Sequence, residues 1–136
     1  MNFKNIVSWV LRLVAVAILL QTLYFKFTGQ PESIALFTKL GIEPFGRLGI
    51  GFMELIASIL LIIPATVFFG AFLGFGLMGG AIFSHLTVLG IESNGDGGEL
   101  FMLAVAVLIC CLIISILHKD QGIGLLNKFV KPQPNK

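Results

Sequence analysis

Three ionisable side chains, Arg12, Glu54 and His85, stand within long apolar runs, and two more, Lys26 and Glu99, stand at the edges of such runs. A charge left unneutralised in mid-hydrocarbon costs at least about 2.5–3.5 kcal/mol on insertion scales, so residues of this kind either pair or do chemistry. A guanidinium and a carboxylate at matching depth form a charge-assisted pair. A histidine there can relay a proton, hydrogen-bond a ligand or be satisfied by a carboxylate, and all three remain open for His85.

If the runs are helices rising 1.5 Å per residue, Arg12 lies roughly 10 Å from one membrane boundary and Glu54 roughly 13 Å from the other. Their depths then differ by only several ångströms, which predicts an intramembrane Arg12–Glu54 ion pair between the first and second spans. Such a pair either locks two helices together or takes part in function. Helical phase supports a polar seam, because Arg47, Gly51, Glu54 and Ser58 fall on one stripe of the second span and Ser8, Arg12, Ala15, Thr22 and Lys26 on one stripe of the first. On the fourth, Glu99, Ala106 and Cys110 share a face. Lys26, Glu54, His85 and Glu99, one from each span, are expected to converge as ligand-binding or proton-transfer candidates. No catalytic residue is assigned.

The remaining reactive side chains exclude several chemistries. Cys110 and Cys111 are adjacent, too close for an easy disulfide and wrongly spaced for a CxxC pair, and are expected to pack as small apolar groups. His85 and His118 are expected at opposite membrane faces, and with no third histidine they cannot bracket one haem. Glu92, Asp96 and Glu99 with His85 lack a dense ligand spacing, so no metal site is expected. No flavin, haem or iron–sulfur signature is present, and no intrinsic cofactor is expected.

The elements that must position these residues follow from composition. Of 136 residues, 57% are hydrophobic and 12% charged, about half the charged share of ordinary globular domains, and mean hydropathy is +0.99. This excludes disordered, disulfide-stapled and nucleic-acid-binding classes and predicts one all-α integral membrane four-helix bundle. The domain is expected over residues 1–121, with spans at about 6–27, 46–63, 66–90 and 99–117, each near the 20 residues that cross a roughly 30 Å core. Pro64 forces a tight turn at 64–66. The first span lacks the short apolar core and small-residue cleavage site of a signal peptide and is kept as a helix.

Four spans put both termini on one side. Lys4, Lys119, Lys128, Lys131 and Lys136 against Lys26, Lys39 and Arg47 place that side in the cytoplasm; the membrane expected is a bacterial plasma (inner) membrane. Between spans one and two, Pro31 suits a first helical position, Glu32 the positive end and Gly41 a stop. They predict a short outer interfacial helix whose Ile34, Phe37 and Leu40 are buried at the membrane boundary. The Asn94 to Gly98 run reads as a turn-rich loop, and residues 122–136 as an interfacial basic tail with a disordered tip. On the third span Gly70 with Gly74, and Gly76 with Gly80, form small-xxx-small pairs expected to serve helix packing. Phe68, Phe72, Phe75 and Phe83 beside them could line a flat-ring ligand pocket, though lipid-facing and core rings are far commoner.

An arginine midway along the first span, Phe25-Lys26-Phe27-Thr28-Gly29 closing it, Leu40-Gly41-Ile42-Glu43-Pro44, Gly51-Phe52-Met53-Glu54-Leu55, His85 and Gly97-Gly98-Glu99-Leu100 occur in order. This series, over about residues 5–118, resembles the DoxX family of small four-helix membrane proteins. The resemblance implies a subunit of a membrane-associated, quinone-linked redox system, with quinone as candidate ligand and a cofactor-bearing partner. The absent CxxC separates the chain from four-helix thiol oxidoreductases. Two other functions stay open: a non-catalytic structural or assembly subunit bound to a membrane-protein partner or to its own copies, and a carrier of a small lipid-like or sulfur compound.

Overall fold

Pro64 lacks the N–H that would continue the second apolar stretch, and its ring disfavours helical backbone at Ile63. In the computed structural model, which describes residues 2–92 and 95–130, the chain turns there through a single 3-10 turn, Pro64–Thr66. Among the described residues six α-helices result: α1 (Phe3–Phe27), α2 (Pro31–Lys39), α3 (Phe45–Ile62), α4 (Val67–Ser84), α5 (Glu99–Leu117) and α6 (Lys119–Val130). Four segments are long and apolar enough to cross a membrane: α1, α3, the continuous Pro64–Leu89 segment containing α4, and α5. The fold is an all-α membrane helical bundle, and the four expected spans lie within three residues of these limits at each end.

Breaking a helix in an apolar layer strands its last carbonyls, which must find donors. Thr66 Oγ1 donates to Leu60 O at 2.9 Å, and Thr66 N donates to Ile63 O at 3.1 Å. The two carbonyls between them accept from α1: Arg12 Nε donates to Leu61 O and Arg12 Nη2 to Ile62 O at 2.8 Å. The guanidinium also stacks 3.7 Å from the centroid of the Trp9 ring. Arg12 is thus the C-terminal cap of α3, supplied from the neighbouring helix.

The packed pairs are α1 with α3, α3 with α4, α4 with α5 and α5 with α1, so the spans form a square with α1 and α4 on one diagonal. Lipid tails offer no hydrophobic drive between helices, so close approach of small residues carries the association. Gly70 lies so near the Leu60–Leu61 backbone that an added Cβ would sit 2.7 Å from Leu61 N. At Gly74 it would sit 2.8 Å from Cys111 Sγ, and at Gly51, 2.9 Å from the Phe27 ring. Leu19, Leu61, Val67, Val107, Cys111 and Ile114 fill the centre. Cys110 and Cys111 are buried free thiols packed there as apolar groups. Large apolar side chains such as Phe3, Phe72, Phe83 and Met102 face outward, the surface a bilayer contacts.

One connecting element departs from expectation. α2 does not simply lay Ile34, Phe37 and Leu40 on the membrane boundary: Phe37 is buried, Leu36, Phe37 and Leu40 line a cavity, and Ile34 lies against Gly29. The residues expected as an interfacial basic tail are helical in α6 as far as Val130, while residues 131–136, with Pro132 and Pro134 and the expected disordered tip, lie outside the described residues. Gln121 fastens α6 by accepting from Phe68 N at 3.0 Å and donating to Pro64 O at 2.8 Å. Of the turn-rich loop, Asn94 lies outside the described residues.

Candidate functional site

The square leaves a space of about 700 Å³ at the α2 end of the bundle, between the diagonal helices α1 and α4 and beneath α2. The reason lies in α4. Where Gly70 and Gly74 let α3 and α5 close on the helix, Gly76 and Gly80 line the cavity with nothing within 4 Å of an added Cβ. Of the four glycines expected to pack helices, within this bundle or with a partner, Gly70 and Gly74 do so within the bundle, while Gly76 and Gly80 line the cavity.

Lys26, Glu54, His85 and Glu99 all line this cavity, so the four candidates are brought together. Their roles within it differ. Lys26 Nζ lies 3.0 Å from Glu54 Oε1 and 3.3 Å from Oε2, and Thr22 Oγ1 lies 3.0 Å from the same Oε2. Glu54 is 1% exposed, so both carboxylate oxygens are satisfied away from water. The expected Arg12–Glu54 pair is not formed. Arg12 and Glu54 share a seam, but each has nearer partners: the orphaned α3 carbonyls hold Arg12 at the terminal end, and Lys26, one turn beyond Thr22, reaches Glu54 at the other.

Arg47 holds the helix that carries Lys26. It donates through Nη1 to the Lys26 carbonyl, and through Nε to both Glu43 oxygens at 2.8 and 3.0 Å. It is buried and is no loop cation, which removes it from the exposed charges that bear on orientation. Its signal in the sequence was the Glu43-to-Arg47 spacing of four, one helical turn.

His85 begins a π-helical turn, His85–Leu89, that ends at Gly90 with φ +81°. The wider turn sets His85 Nδ1 2.9 Å from the carbonyl of Gly90, and its ring 5.7 Å from that of Phe101 in an edge-to-face contact. A carbonyl oxygen can only accept, so Nδ1 carries the hydrogen and, in the neutral imidazole, Nε2 is an acceptor. Glu99 sits exposed at the rim, in the first turn of α5. Asp96 also lines the cavity, yet its oxygens accept from Gly98 N at 2.8 Å and Leu100 N at 3.1 Å, which makes it the cap of α5. Among the described residues, no three His, Cys, Asp or Glu side chains gather to hold a metal.

At the terminal end, Ser8 Oγ lies 2.7 Å from His118 Nε2, joining the start of α1 to the end of α5. Burial, with the charges of Arg12 and Lys4 nearby, holds His118 below its ordinary value, so the neutral ring is favoured. The two histidines thus lie at opposite ends of the bundle.

A ligand entering the cavity meets mostly apolar walls interrupted by the Lys26–Glu54 pair, the Thr22, Ser33 and Ser84 hydroxyls, the Gln21 and Gln30 amides, His85 and the acids Glu32, Asp96 and Glu99. That is the composition of a small-molecule site for an amphipathic ring or a polar head group with an apolar tail. Comparison with protein-family models, curated proteins and solved structures found no match. What the fold establishes is the class, a helical membrane protein with four candidate spans.

Proposed function

We propose that this protein is an integral-membrane subunit of a quinone-linked redox system and holds the quinone head group in the cavity beneath α2. The observation that carries this reading is the cavity itself: about 700 Å³, within the range of small-molecule sites, between spanning helices and lined by Lys26, Glu54, Thr22 and His85 among apolar residues. The ordered resemblance to the DoxX family supports the same reading independently. With no flavin, haem or iron–sulfur signature in the sequence, the electron-carrying cofactor belongs to a membrane-protein partner.

Orientation follows from the cations that meet solvent. Lys4, Lys119 and Lys128 are exposed at the terminal end, whereas at the α2 end Lys39 is exposed, Arg47 is buried and Lys26 is turned to Glu54. This imbalance supports cytoplasmic termini in a bacterial plasma membrane.

Native mass spectrometry of the full chain, extracted from its own membrane in mild detergent, tests the proposal. The expected spectrum retains a quinone and a partner subunit, and loses the quinone in Gly80→Leu, where a leucine enters open space. A stoichiometric partner without quinone in the wild type would make the protein an assembly subunit instead.

A further inference from the structure

Several of the donors around His85 are committed to the protein. His85 Nδ1 is used by Gly90 O, the Ser84 hydroxyl by Gly80 O at 2.9 Å, and the Thr22 hydroxyl by Leu19 O or Glu54. Lys26 is turned to both oxygens of Glu54. In the neutral imidazole, what His85, just past the end of α4, offers a ligand is a lone pair, Nε2. Every buried side-chain nitrogen and oxygen among the described residues has a hydrogen-bond partner. Nδ1 has Gly90, and Nε2, on a residue only 3% exposed, has no partner among the described residues and so keeps some open surface, on a residue that lines the cavity.

Such a wall discriminates between two ligands of nearly equal shape. A quinone presents two carbonyl acceptors, and against Nε2 it meets lone pair with lone pair. A quinol presents two O–H donors, one of which Nε2 can accept. Resting on the quinone reading above, we infer that the cavity selects the reduced, hydroxyl-bearing form, with His85 Nε2 accepting the ligand's O–H. The Nδ1–H to Gly90 contact, created by the π turn, holds the ring in the tautomer that makes this possible. His85 here is a specificity-determining residue; no electron or proton transfer is assigned to it.

Three short-chain probes separate the possibilities: a benzoquinol kept reduced under anaerobic conditions, its quinone, and its dimethyl ether, which has the quinol's ring without a donor. Binding is measured by equilibrium dialysis on the full chain in lipid nanodiscs. One well-placed hydrogen bond corresponds to about a tenfold difference, so the quinol is expected to bind about tenfold more tightly than either analogue. In His85→Phe, which keeps a ring against Phe101, the three should bind alike at the weaker level. Equal binding of all three to the wild type, or tighter binding of the quinone, overturns the selectivity while leaving the quinone reading intact. Binding of none overturns both. These comparisons rest on the wild type, so a failure of His85→Phe to fold does not remove the test.

Discussion

Lys26 Nζ lies 3.0 Å from Glu54 Oε1, while the Lys26 carbonyl accepts from Arg47 on the same helix as Glu54. One residue of α1 therefore holds α3 twice, through its backbone and through its side chain, and this double attachment forms one wall of the cavity. Removing one partner of a buried pair leaves a charge without compensation, at about 3–5 kcal/mol, whereas removing both can be nearly neutral. Lys26→Met and Glu54→Leu should each lower detergent stability by several kcal/mol, and the double variant should recover most of the loss. A double-mutant cycle by chemical denaturation in detergent measures it.

Arg12→Gln should destabilise independently of Glu54, because the two residues share no partner. The loss comes from the Leu61 and Ile62 carbonyls, left in an apolar layer, and should be about 2–3 kcal/mol. Additivity of Arg12→Gln with Glu54→Gln within about 0.5 kcal/mol is the expected result of the cycle. A strong coupling would restore the direct pair.

The glycines of α4 should divide by position. Gly70→Ala puts a methyl against the Leu60–Leu61 backbone and should cost about 1–3 kcal/mol as overpacking, with Gly74→Ala milder because Cys111 is a side chain. Gly76→Ala and Gly80→Ala meet open space and should be neutral or stabilising by up to about 1 kcal/mol, because alanine suits a helix interior better. Thermal melts of the four single variants check the split.

Stability should also fall in mildly acid solution through His118. Its folded value lies below the ordinary one of about 6.5, so the open state binds the proton more readily than the folded state. As pH drops from about 6.5 towards the lowered value, protonation favours release of the Ser8–His118 contact; above about 6.5 the contribution is complete. Melting temperatures from pH 8 to pH 5 should decline more in the wild type than in His118→Phe.

Much of the frame was legible because its causes are local. Pro64 cuts α3 from α4 by removing a donor, and Pro31 and Gly41 bound α2 within two residues. Helical phase named four of the polar residues that meet in the cavity, Thr22, Lys26, Glu54 and Glu99, since a stripe on one helix needs no knowledge of its neighbours. Pairing within the seam was not legible. Depth alone matched Arg12 with Glu54, but the choice rested on which carbonyls Pro64 would orphan and on Lys26 reaching Glu54 from the other end of α1. Gly76 and Gly80 read like Gly70 and Gly74, because the same spacing serves a helix that is covered and one that is not. The π turn at His85 also left no periodic trace; Gly90 was its only sign.

The central claim is that the space beneath α2 is a ligand site. Photolabelling of the full chain in native membranes with an azido-quinone, followed by peptide mapping, tests it most directly. Label should fall on cavity residues such as Leu77 and Leu103, compete with unlabelled quinol, and disappear in Gly80→Leu. Label confined to the outward faces at Phe72 and Met102, or unchanged in Gly80→Leu, would contradict it.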